Sequence, residues 1–90
     1  MKNMLSENAR KRIFKTARKK LGLTQAAMSE KMHISERAYG EIERGRSGLS
    51  AATLLHFLFL LTDEARETFL KEVEHEISNR DEAEDDYNNK

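Results

Sequence analysis

Between Thr24 and Arg46 the chain reads TQAAMSEKMHISERAYGEIERGR, a pattern that leaves room for little besides two short helices joined by a tight turn. Met28 and Met32 stand one helical turn apart on a single face, and Tyr39 and Ile42 repeat that relation further on, with polar and charged residues in the gaps. Thr24 and Ser35 precede these two runs, and each can accept a bond from an otherwise unpaired backbone N–H of the first turn. The caps lie too close in sequence for a long hairpin, so the helices must cross sharply. The second, about residues 36–44, then has one face buried and the other turned outward, the geometry of a helix built to be inserted into a partner.

The flanking sequence predicts three more helices. The first runs from about 6 to 21, capped by Ser6, with Ala9, Ile13, Ala17 and Leu21 in an i, i+4 stripe that Phe14 widens. Gly22 and Gly45 are placed to end helices in the left-handed conformation that a Cβ disfavours. Ser50 caps a fourth helix, about 51–61, with Leu49 and Leu54 at the positions of a hydrophobic staple. This helix is apolar nearly all round: Leu54, Leu55, Phe57, Leu58, Phe59, Leu60 and Leu61. Thr62 caps a fifth, about 63–78, whose stripe is Ala65, Phe69, Leu70, Val73 and Ile77, and whose first-turn Asp63 and Glu64 suit the helix dipole. After Ser78 the apolar periodicity stops, so residues 79–90 are expected to form a disordered acidic tail. The expected fold is all-α: a compact five-helix domain over residues 1–78.

Ninety residues bound one domain with one core. The chain has no Cys, hence no disulfide or thiolate metal site, and His33, His56 and His75 lie too far apart for a metal-ligand spacing. No metal or other cofactor is expected. No stretch is apolar and long enough to span a bilayer, and MKNMLSENARKR lacks the apolar segment of a signal peptide, so a cytoplasmic protein without membrane contact is expected. A nucleophile elbow, a Gly-rich phosphate loop and a recognisable carboxylate pair are all missing, which argues against an enzyme and leaves no catalytic residue to name. The zero net charge conceals a dipole. Residues 1–48 carry twelve Lys and Arg against five Glu, a net of +7, and residues 49–90 carry a net of −7. One half of the chain can meet a polyanion that the other half repels.

The run Leu21-Gly22-Leu23-Thr24-Gln25, followed by Met28, Met32, Ile34-Ser35 and Ile42-Glu43-Arg44-Gly45, resembles the Cro/phage-repressor type of helix-turn-helix transcription regulators. The similarity covers about residues 10–61. It implies a lambda-repressor-like domain that binds double-stranded operator DNA as a symmetric dimer, with the helix at 36–44 in the major groove. By position, it implies that Glu36, Arg37 and Glu41 face base edges. Gln25 would bond a phosphate and brace the recognition helix. Arg44, Arg46, Ser47 and Ser50 would touch the sugar-phosphate backbone, and Arg18 and Glu43 would form a structural ion pair between the first and third helices. The physical reasons stand beside the resemblance: phosphates need N–H donors and positive charge, Arg can grip guanine bidentately, and Glu can accept from cytosine N4.

Three positions depart from the family pattern. His33 stands where a turn glycine is usual, Ser29 replaces a small Ala at a helix contact, and two Glu accompany one Arg on the reading face. Gly40 lies within the third helix at a cost of about 1 kcal/mol relative to Ala; a bare backbone there suits either close approach to DNA or internal packing. The apolar surplus of the fourth and fifth helices favours a homodimer through Phe57, Phe69, Val73 and Ile77. Two functions remain: a homodimeric repressor on a palindromic site, or an antitoxin-like or anti-regulator protein-interaction module whose acidic stretch from Asp63 to Asp86 binds a basic protein partner.

Overall fold

The computed structural model describes residues 5–88, and the side chains of residues 5–79, as five helices: α1 (Glu7–Lys20), α2 (Gln25–Met32), α3 (Glu36–Arg44), α4 (Ala51–Leu60) and α5 (Asp63–Asn88). Each begins at a hydroxyl. Ser6, Thr24, Ser35 and Ser50 stand in extended backbone and accept from the N–H groups of Ala9, Ala27, Ala38 and Thr53 at 3.0, 3.1, 3.0 and 3.1 Å. Thr62 accepts from the Ala65 N–H at 3.2 Å. A cap of this kind contributes about 1 kcal/mol. The ends are equally well defined. Gly22 (φ 72°), His33 (φ 61°) and Gly45 (φ 80°) take the left-handed conformation after α1, α2 and α3. The C-terminus of α4 is closed from outside: Arg66 Nε and Nη2 donate to the carbonyls of Leu58 and Leu61 at 2.9 and 2.8 Å.

Helix α1 packs against both α3 and α5, while α2 packs against α3 and α4. The core between them holds Ile13, Phe14, Ala17, Met28, Met32, Tyr39, Ile42, Phe57, Leu61, Ala65 and Phe69. Its centre is aromatic. Phe14 lies 4.7 Å from Phe57 and 5.1 Å from Phe69 between ring centroids, the latter edge-to-face, and Phe57 lies 5.5 Å from Phe69. Such pairs contribute about 0.5–1.5 kcal/mol beyond their buried area. Leu49 and Leu54 both pack onto this core, as a staple would.

Two expectations need correcting. Phe57 and Phe69, assigned from the sequence to a dimer face, are 0% and 3% exposed inside the chain's own core. In an all-apolar helix the periodicity does not say which side faces inward, and the side turned to solvent is that of Leu55 and Phe59, 65% and 77% exposed. The fifth helix also runs on to Asn88, well beyond Ser78. The stretch beyond Ser78 contains neither Gly nor Pro and offers Ala, Glu and Arg, all good helix formers. Loss of apolar periodicity there does not end the helix. Residues 89–90 of the expected tail lie outside the described residues. Among the described residues, no helix is long and apolar enough to cross a membrane.

Candidate nucleic-acid interface

The sharp crossing of α2 and α3 is held by one buried carboxylate. Glu43, in the last turn of α3, receives Arg18 Nε at 2.9 Å and Nη2 at 3.2 Å, the Tyr39 hydroxyl at 2.7 Å and Gln25 Nε2 at 2.8 Å. Arg18 completes its bonding by donating Nη1 to the Leu23 carbonyl at 2.8 Å. Three helices and the α1–α2 loop therefore meet at a single group. Burial alone would push the Glu43 carboxyl up; the bonds from Arg18, Gln25 and Tyr39 outweigh it and hold the carboxyl below the ordinary carboxylate range. Burial and the bond to Glu43 push the Tyr39 phenol far up, so it stays a donor. The Arg18 guanidinium, bonded to Glu43, is held above its usual value despite burial.

With its inner side fixed, α3 leaves Glu36 and Arg37 exposed, and Glu41 and Arg44 lie half-buried beside them. Glu41 accepts from Arg44 Nη2 at 2.9 Å. That bond outweighs the opposing effect of desolvation and, with the nearby charges of Arg44, Arg46 and Arg37, holds the Glu41 carboxyl below its usual range. Gly40 is buried beneath them. A Cβ there would stand 3.2–3.3 Å from the two terminal nitrogens of Arg44, closer than side chains comfortably pack. The glycine thus makes room for a guanidinium of its own helix.

The loop after α3 is tied to the helix it follows. The N–H groups of Arg46 and Ser47 both donate to the Glu41 carbonyl, at 2.9 and 3.4 Å. The Arg46 side chain is exposed, whereas the Ser50 hydroxyl bonds the Thr53 side chain and N–H within its own cap. Gly45 sits against α1, where a Cβ would come within 3.3 Å of the Glu7 backbone. Arg10 lies beside it: its guanidinium is over the Phe14 ring at 5.8 Å, and burial lowers its pKa. At the opposite end of the motif, His33 stacks nearly parallel to His56 of α4 at 6.2 Å. Ser29 is buried, and its hydroxyl bonds the Ala26 carbonyl at 2.7 Å, so the extra oxygen is satisfied within α2.

The sequence-derived residues thus separate into two groups. Arg18, Gln25 and Glu43 come together inside, and Glu36, Arg37, Glu41, Arg44, Arg46, Ser47 and Ser50 lie along α3 and the loop that leaves it. Gln25 spends one amide hydrogen on Glu43 and retains a second for another acceptor. Tyr39 in the Glu43 cluster and the seating of Arg44 on Gly40 were not foreseen. The first has a sequence signal, the i, i+4 spacing of Tyr39 and Glu43 on one helix face; the second had only the costly mid-helix glycine. Outward cations beside exposed hydrogen-bonding groups suit a phosphate backbone with base edges next to it. In comparison with known proteins, a helix-turn-helix family model matches residues 14–55. No curated protein and no solved structure gives a significant match.

Proposed function

Residues 14–55 are a DNA-binding helix-turn-helix domain of the Cro/phage-repressor type, and from that premise we propose that the chain is a homodimeric repressor that inserts α3 into the major groove of a palindromic operator. The single observation that carries this reading is the Glu43 cluster. Four hydrogen bonds fix the inward side of α3, so Glu36 and Arg37 are presented on a rigid element. Arg37 grips a guanine, Glu36 accepts from a neighbouring cytosine, and Arg46, Ser47 and the second amide hydrogen of Gln25 take phosphates. The dimer rests on the apolar residues the chain leaves outside: Leu55 and Phe59 on α4 and Leu70 on α5, 65%, 77% and 49% exposed, with the half-buried Val73 and Ile77 on the Leu70 side of α5. Two copies double the phosphate contacts, which one small domain supplies too sparsely for tight specific binding.

One feature favours a protein partner as well. Helix α5 extends to Asn88 on a strongly acidic sequence, and such a helix suits a basic protein surface. Selection of bound sequences from a random DNA pool with the purified protein separates the two. The repressor reading predicts a palindromic consensus. No enrichment, together with a protein partner lost on removal of residues 79–90, would favour the interaction module.

A further inference from the structure

The carboxylate of Glu41 is the anomaly of the outward face, because a negative charge beside phosphates weakens binding unless it serves something else. Three observations agree on what it serves. Glu41 bonds Arg44 at 2.9 Å; Gly40 clears the space in which the Arg44 guanidinium lies; and Arg44 lines a cleft of about 160 Å³ shared with Arg46 and with Glu7, Asn8 and Lys11 of α1. The cleft has room for a phosphate group. Counting Glu7 and Glu41, it brings three cations against two carboxylates, and among the described residues neither Lys11 nor Arg46 is ion-paired.

We propose that Glu41 is a positioning residue, not a base reader: it holds Arg44 across Gly40 so that Arg44, Arg46 and Lys11 grip one DNA backbone phosphate in the cleft between α1 and the α3–α4 loop. This rests on the DNA-binding reading above and extends the phosphate surface to the first helix. A free Arg side chain loses considerable rotamer entropy when it binds. The Glu41 bond and the glycine seat remove part of that loss before the phosphate arrives, which repays the repulsion of a carboxylate already neutralised by its partner.

A double-mutant cycle tests it, with affinity and its salt dependence measured on a duplex enriched by the wild-type protein. Arg44→Ala should weaken all sequences alike, on the order of tenfold, and lower the slope of log affinity against log salt by a fraction of one unit, because three cations share the counterion release of one phosphate. Lys11→Ala should lower that slope by a similar amount, although it stands on a different helix. In a Glu41→Ala background, Arg44→Ala should cost only about threefold or less, the remainder being coupling. Glu41→Gln, which keeps the acceptor and drops the charge, should restore the full Arg44 effect. Additive losses, or a larger Arg44 effect without Glu41, would overturn the positioning role. So would a change of base preference in Glu41→Ala that persists without Arg44. An unchanged slope in Lys11→Ala would overturn the cleft as a phosphate site. If the wild-type protein binds no duplex at all, the DNA-binding reading itself fails, and this proposal falls with it.

Discussion

At the scale of single residues, the fold depends most on a charge that water does not reach. Glu43 is 2% exposed and Arg18 is 7% exposed, and their pairing is completed by Tyr39, Gln25 and the Leu23 carbonyl. A fully bonded buried pair of this kind adds little net stability against an apolar substitute, but removing one partner strands the other. Glu43→Ala should therefore cost about 3–5 kcal/mol in urea unfolding. The same group sets an acid limit. Its folded pKa is depressed, so its contribution is complete above the unfolded carboxylate value of about 4.3 and is lost as pH falls through the lower folded value. Unfolding free energy measured across that acid range should fall less steeply for Glu43→Gln than for the wild-type chain; parallel curves would contradict the assignment. The position of Glu43 beside Ile42 hinted at an inward carboxylate. Arg18 is named as its partner by the resemblance, and Tyr39 has the i, i+4 signal on the same helix; the bond from Gln25 could not be read from sequence, since α2 reaches Glu43 only through the crossing of the helices.

Among the elements, hydroxyl caps mark the starts of the helices and left-handed residues the ends of α1, α2 and α3, because both signals are local and chemical. Where the signal was non-local it failed: the inward side of α4 depends on what packs against it, and α5 continues to Asn88 on a sequence without apolar periodicity. The turn between α2 and α3 is a middle case. His33 adopts φ 61° and ψ 38°, which a β-carbon disfavours by roughly 1–2 kcal/mol. Against this stand the stacked ring of His56 and the lower chain entropy of a non-glycine residue in the unfolded state. The backbone effect is the largest of these. His33→Gly should stabilise the domain by up to about 1 kcal/mol, seen as a higher urea midpoint at unchanged slope. A lower midpoint would mean that the contact with His56 outweighs the strain.

For the molecule as a whole, the division of charge and the distribution of apolar surface have separate consequences. The net +7 of residues 1–48 and −7 of residues 49–90 orient the chain on a polyanion, with the recognition helix in the basic half and α5 in the acidic half. On the proposed dimer, the exposed Leu55, Phe59 and Leu70 of α4 and α5 would face a second copy. Phe59→Asp places a charge where an apolar contact is expected and should shift the protein to monomer in sedimentation, without loss of helix content. A wild-type chain that is already monomeric at the concentrations where it binds DNA would remove the palindrome from the account. Composition and charge made a polyanion legible from the sequence; the exposed apolar surface of Leu55, Phe59 and Leu70 was not, because it is defined by what the core leaves over.

The proposed division of labour is that α3 reads bases while the loop after it grips the backbone. It is tested most directly by measuring the affinity of Arg37→Ala and Arg46→Ala for the enriched site and for its single base-pair variants. Arg37→Ala should lose about 1–3 kcal/mol of discrimination at one base pair, while Arg46→Ala should weaken every sequence alike and lower the salt slope. If Arg37→Ala left both affinity and sequence preference unchanged, the outward face of α3 would not be the surface that reads DNA.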